Sequence, residues 1–279
     1  MKTSTQLKAH IRNLSKAKNV GAEIILRNFM LERFLERISI SEYKNSFILK
    51  GGMLIAAMVG IDSRTTMDMD ATIKGLALTE SELTVIVENI LRIPIDDGAH
   101  FTLRGVEEIR EEADYPGFRV SIEAVLDRTR QILKVDITTG DFVTPKEIRY
   151  SFPLMFEDRA ISILAYNSET VLAEKFETII TRSVTTTRMR DFYDIYILTT
   201  TQAFDSDIFK AALKKTAEKR GTVDQMGDIQ NVLQMIAHSP IMTDQWERYQ
   251  KKYAYAAEIS WEMAMDALNK LAQTNSESI

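Results

Sequence analysis

Two aspartates separated by one residue, Asp68 and Asp70, are the side chains best placed in this sequence to do chemistry. They close the stretch from Lys50 to Asp70, KGGMLIAAMVGIDSRTTMDMD, which opens on Gly51-Gly52. Polar and apolar residues alternate from Thr66 to Thr72, which predicts a strand. Its period of two puts Asp68 and Asp70 on one face and Met67, Met69 and Ala71 on the other. Two neighbouring carboxylates repel each other and stay ionised when a cation sits between them. Oxygen ligands of this kind favour magnesium. The glycine pair lets the backbone approach a bulky anion, and the helix that follows points free N–H groups at it. Phosphate and magnesium in one unit suggest phosphoryl or nucleotidyl transfer.

The elements that must position these residues are legible around them. Apolar residues at helical spacing predict a core-packing helix over residues 21–38, and Met53 to Val59 continue as a helix behind the glycines. Thr79-Glu80-Ser81-Glu82 reads as a helix start, with the helix running to Pro94. Strand-like runs follow over His100–Val106, Phe118–Leu126 and Ile132–Thr138, with a turn at Asp127–Arg130 between the last two. In the last run Lys134 and Asp136 share one face. Asp136 is the candidate third carboxylate for a metal site, and Lys134 would neutralise the cluster or touch phosphate. An ordinary half-exposed strand is the alternative for both.

From Ser168 onward the pattern is mostly helical. Leu172, Phe176, Ile179 and Ile180 predict the inward face of one helix, with Glu174 and Lys175 near its other edge. Asp191 suits the N-cap of the next helix, where Asp194 falls near the third position. Arg188 and Arg190 just before it would bind phosphate or pair with nearby acids. Further helical patterns cover 205–218, 223–238, 243–256 and 259–272. Lys251 and Lys252 form one of two basic clusters there, and Trp246, Tyr249, Tyr253 and Tyr255 would pack or stack on bases.

Four blocks in order carry a resemblance. They are Lys50-Gly51-Gly52 through Arg64-Thr65-Thr66-Met67-Asp68-Met69-Asp70, then Lys134-Val135-Asp136, Leu172-Ala173-Glu174-Lys175, and Arg188-Met189-Arg190-Asp191-Phe192-Tyr193-Asp194. Together they resemble the AbiEii family of bacterial toxins, nucleotidyltransferases of abortive-infection toxin–antitoxin systems. The resemblance implies transfer of a nucleoside monophosphate from a nucleoside triphosphate, GTP in some members, to an acceptor hydroxyl. The 3′ end of tRNA is the acceptor in others. It implies Mg2+ on Asp68, Asp70 and Asp136, and triphosphate contacts from Lys175 and the Gly51-Gly52 backbone. Lys50, Arg64, Thr66 and Lys134 join the nucleotide-binding set. Asp191 would accept the proton of the attacking hydroxyl, and Asp194 would be structural. The antitoxin of such systems is a separate DNA-binding regulator. One departure is Met53, where family members often carry a small hydroxyl residue after the glycines; Ser63, Thr65 or Thr66 would substitute for it.

The expected architecture is α+β. Residues 1–167 would form a mixed sheet with flanking helices, polymerase-beta-like in fold. Residues 168–279 would form an α-helical bundle closing the active-site cleft. The 279 residues suffice for a proper core. The absence of cysteine excludes disulfides and thiolate metal sites. His10, His100 and His238 are scattered, without zinc spacing or a nucleophile–base arrangement. The N-terminus lacks the apolar core of a signal peptide and no apolar run is long enough to span a bilayer, so a cytoplasmic protein is expected. A net charge of −5 means that an RNA substrate would need a local basic patch. Two rivals follow from the same residues. One is a nucleotidyltransferase with a small-molecule acceptor, of the aminoglycoside type. The other is a non-catalytic nucleotide- or RNA-binding inhibitor.

Overall fold

The computed structural model describes residues 4–76, 79–109 and 117–276. The chain divides into two compact units, one of residues 1–141 and 147–166, the other of 142–146 and 167–279. The first unit contains helices α1 (Ser4–Lys18), α2 (Ala22–Ile40), α3 (Gly51–Val59) and α4 (Glu80–Leu91). Its strands are β1 (Phe47–Lys50), β2 (Met69–Ile73), β3 (Ala99–Ile109), β4 (Gly117–Leu126), β5 (Thr129–Thr139), β6 (Ile148–Pro153) and β7 (Ala160–Ala165). The strands form one mixed sheet in the order β3-β4-β5-β2-β1-β7-β6. Strand β2 runs parallel to β5 and antiparallel to β1, and β1 runs parallel to β7.

Alternating patterns become half-covered strands here because one face is packed. Along β5, Leu133, Val135 and Ile137 are buried, as are Val120, Ile122 and Ala124 of β4. Helix α2 packs on β5 and β7, α3 on β1 and β2, and α4 on β3. Thr79 caps α4 in a capping box with Glu82, which satisfies two of the helix's orphan N–H groups. Helix α2 is buried nearly all round: besides its apolar residues, Glu32, Arg33, Glu36 and Arg37 are covered. Those charges are tolerable because they are paired. Arg33 reaches Glu32 at 2.6 Å, Glu36 at 2.9 Å and Glu157 at 2.6 Å, and Arg37 reaches Asp97 at 2.7 Å.

The second unit is helical, with α5 (Ser168–Arg182), α6 (Met189–Thr201), α7 (Ser206–Arg220), α8 (Ile229–Ala237), α9 (Pro240–Lys252) and α10 (Trp261–Ser276). Asn167 caps α5 and Asp205 caps α7, each through its side chain. The pattern expected as one helix over 223–238 is instead a 3-10 turn, Val223–Asp228, followed by α8. The helix expected over 243–256 starts earlier, at Pro240, a residue whose missing N–H costs nothing in a first turn. Trp246, Phe192, Tyr193, Phe176 and Phe209 are fully buried in this unit.

Among the described residues, no helix is long and apolar enough to cross a membrane.

Candidate active site

In the first unit the sheet register assembles a row of charges. Lys50 lies opposite Asp70, Asp70 beside Asp136, and Asp136 opposite Arg119. Four adjacent strands thus present plus, minus, minus and plus at one level of the sheet. Strand β2 begins at Met69, not at Thr66. Residues 66–68 form an irregular approach to it, so Met67 is exposed rather than facing the core with Met69 and Ala71. That approach is pinned from two sides: Asn28 of α2 donates to the Thr66 carbonyl at 2.8 Å, and the Thr66 hydroxyl donates to the Asp68 carbonyl at 3.1 Å. The Asp68 side chain itself is exposed beside the row.

The glycine pair stands where β1 turns directly into α3. Gly51 has φ +67°, a conformation that side chains with a Cβ adopt rarely and at a cost. A Cβ there would stand 2.7 Å from the carboxyl carbon of Asp70. A Cβ on Gly52 would stand 2.8 Å from the Thr66 hydroxyl oxygen and 3.2 Å from Nη2 of Arg64. The glycines are therefore closed upon by the residues predicted to act with them. Arg64 is only 3% exposed and donates to the Thr65 carbonyl, so here it braces the loop.

Asp136 differs from its expected role. Arg119 takes both of its oxygens, Nε to Oδ1 at 2.8 Å and Nη2 to Oδ2 at 2.7 Å. This bidentate hydrogen bond, then the charges of Asp136, Asp68 and Glu107, hold the proton on Arg119 above its ordinary strength. Lys50 is likewise engaged: its ammonium lies 2.7 Å from Asp141, which also accepts from the Thr138 hydroxyl at 2.7 Å. Lys134 is exposed two residues before Asp136 on the same face. Among the described residues no three acidic or histidine side chains are grouped closely enough to hold a metal ion. The donor chemistry of Asp68 and Asp70, hard oxygens beside the glycine turn, fits magnesium. The expected third ligand, Asp136, is bound to an arginine instead.

The second unit carries its own charged cluster. Lys175 of α5 lies 2.6 Å from Asp191 and 2.8 Å from Asp194, both on α6. Arg188 reaches the other oxygen of Asp191 at 2.6 Å. The N-cap of α6 is Arg188, so Asp191 is not the cap but the third helical residue, where it suits the positive end of the helix dipole. Asp194 is completely buried and is as much a partner of Lys175 as Asp191 is. Burial alone would favour the neutral form of Asp191. Lys175 first and then Arg188 outweigh it and hold the carboxyl below its usual range.

Arg119, Asp141, Asp194 and Asn28 were not among the expected site residues. Arg119 had a usable signal. The β4–β5 hairpin pairs Leu126 with Thr129, and stepping seven residues back along one strand and forward along the other meets Arg119 and Asp136. Asp194 stood in the fourth block only as a structural residue, and Asp141 and Asn28 had no signal, because Lys50 and Thr66 are remote from them in sequence.

A mixed sheet flanked by helices, followed in the chain by a helical unit, is a fold with solved counterparts. The chain superimposes on MenT4, a nucleotidyltransferase toxin from Mycobacterium tuberculosis H37Rv, with a TM-score of 0.55 at 12% identity, over 95% of this chain and 98% of that one. It superimposes on JHP933 from Helicobacter pylori with a TM-score of 0.53 at 14% identity, over 91% of each. The fold is thus that of the nucleotidyltransferases. Residues 33–267 match the nucleotidyl transferase AbiEii toxin family of type IV toxin–antitoxin systems, and the chain belongs to that family. No curated protein matches it. Membership makes the chain a nucleotidyltransferase toxin that uses a nucleoside triphosphate and has an antitoxin partner.

Proposed function

We propose that the protein stops growth by moving a nucleoside monophosphate from a nucleoside triphosphate, GTP among the candidates, onto the 3′ hydroxyl of tRNA in the cytoplasm. The acceptor oxygen attacks the α-phosphorus as its proton passes to solvent water, the bond to the bridging oxygen breaks, and pyrophosphate leaves. This would serve phage defence, with the antitoxin acting as a DNA-binding regulator. The observation that supports the reading is the row Lys50–Asp70–Asp136–Arg119, with Asp68 beside it and Gly51 beneath Asp70.

Asp68 and Asp70 would hold Mg2+, which when bound supplies positive charge to the triphosphate oxygens. Asp136 would join them when it gives up Arg119. Gly51 and Gly52 leave room for the Asp70 carboxylate and for the Thr66 and Arg64 side chains that close on them. Lys50, Lys134 and Lys175 would offset phosphate charge, while Arg64 and Thr66 shape the loop that carries Asp68. Asp191 is doubly paired and held ionised. That makes it a weak proton acceptor, so we assign it the orientation of Lys175 rather than the deprotonation first expected of it.

Purified protein incubated with bacterial tRNA, Mg2+ and each labelled triphosphate in turn should label tRNA with at least one of them. The Asp68→Ala protein should not. Label that persists in the folded variant, or no label on tRNA with any triphosphate, would overturn the reading.

A further inference from the structure

The second unit contains an open pocket between the start of α6 and the face of α9, of about 320 Å³. Four cationic side chains line it, Arg188, Arg190, Arg248 and Lys252, with Tyr249 and Tyr253, and no carboxylate does. In a chain of net charge −5 this local excess of positive charge selects an anion. The cations are arranged around an aromatic platform. Arg190 donates to the Tyr253 hydroxyl at 2.9 Å and lies over its ring at 5.2 Å, and Lys252 lies over the same ring at 5.3 Å. Tyr253 packs on Tyr249 at 4.7 Å, and Tyr255 stacks beside Tyr253 at 5.3 Å. These contacts fix the ring in place. Of the four cations, Arg188 is held by the buried Asp191, whereas Arg248 meets Asp244 on an exposed helix face, an i,i+4 pair of small worth.

We infer that this pocket binds a single strand of RNA, its backbone phosphates on Arg188, Arg190, Arg248 and Lys252 and a base against the tyrosines. A strand is favoured over the triphosphate because the cations come from two helices and share the pocket with tyrosine rings, and a strand offers both phosphates and bases. Arg188 links the pocket to the Lys175–Asp191 pair, since it touches Asp191 and lines the pocket as well. The inference rests on the proposed function for its choice of RNA, as the acceptor strand.

Arg248→Gln combined with Lys252→Gln tests it. Both side chains are exposed, so the fold should survive, as the thermal midpoint will report. Binding is measured by anisotropy with a labelled single-stranded RNA of about ten nucleotides. Calorimetry with GTP alone serves as the second arm. The RNA arm uses the Asp68→Ala background, where no transfer occurs, and the GTP arm uses the active protein without acceptor. The double variant should bind RNA on the order of tenfold more weakly and lose about 1.4 from the slope of log affinity against log salt, with GTP binding unchanged. RNA binding within twofold of the parent, or no RNA binding by the parent at low salt, would overturn the inference. Weakened GTP binding with RNA binding intact would also overturn it and make the pocket a triphosphate site. The two readings fail separately. Absence of transfer alongside pocket-dependent RNA binding sinks the proposed function alone. Transfer to RNA with an unchanged acceptor KM in the double variant, on the active protein, sinks this inference alone.

Discussion

At the residue scale, the informative side chains are cations that hold acids. Arg119 holds Asp136 in a pair that is partly solvent-exposed, so its removal should change stability by no more than about 1 kcal/mol. If Asp136 belongs to the metal site, Arg119→Ala should raise Mg2+ affinity severalfold, read by titration without nucleotide. Unchanged affinity would place Asp136 outside the site. Lys175 differs because its partners are buried. Lys175→Met takes from Asp191 and Asp194 the cation they share, and should destabilise the second unit by about 3–5 kcal/mol. Adding Asp191→Asn and Asp194→Asn should recover most of that in chemical denaturation without restoring transfer. A triple variant as unstable as the single one would show that the charges are not the cause.

At the element scale, the β1–α3 turn is the most constrained piece. Gly51→Ala combines a positive φ with an overlap on Asp70, and should cost about 1–3 kcal/mol and reduce transfer more than it reduces stability. Denaturation midpoints and transfer rates of the same preparation check this. Elements with sustained periodicity were legible in the sequence: α2, α4 with its Thr79 cap, and the β4–β5 hairpin, whose second strand starts at Thr129, inside the expected turn. Short elements bounded by tertiary contacts were not. Alternation ran on through Thr66 and Met67, yet Asn28 captures the Thr66 carbonyl and delays the strand to Met69. Asp191 had the composition of a cap, but helix α6 starts at Met189, and Lys175 draws the carboxylate inward instead.

At the scale of the whole molecule, two carboxyls, Glu32 in the first unit and Asp191 in the second, respond oppositely to acid. Burial pushes the Glu32 carboxyl up to about 7 from its ordinary 4.5, against the pull of Arg33. The folded first unit therefore binds a proton more readily than the unfolded chain. The stability from this group is fully present below about pH 4.5 and is lost as pH rises to about 7, a change of roughly 3 kcal/mol at most. Glu32→Gln should flatten that part of the profile, seen in denaturation midpoints at several pH values; an unaltered profile would assign it to other groups. Asp191 works the other way. Its pKa is lowered by folding, so its contribution is present above the ordinary 3.8 and falls away in more acid solution. The second unit should lose stability there first.

The chemistry on offer and the class of fold are legible along the chain alone. Asp68 and Asp70 at a spacing of two, a glycine pair before a helix, and alternating runs that pack one face are local features, and local features are written in order along the chain. Which charges meet was decided only by tertiary structure. Lys50 finds Asp141, Lys175 finds Asp194, and the pocket joins Arg190 to Tyr253 across dozens of residues. Those partners are set by strand register and helix packing, which depend on the whole buried surface at once. An ion pair between remote residues leaves no period in the sequence by which it could be read.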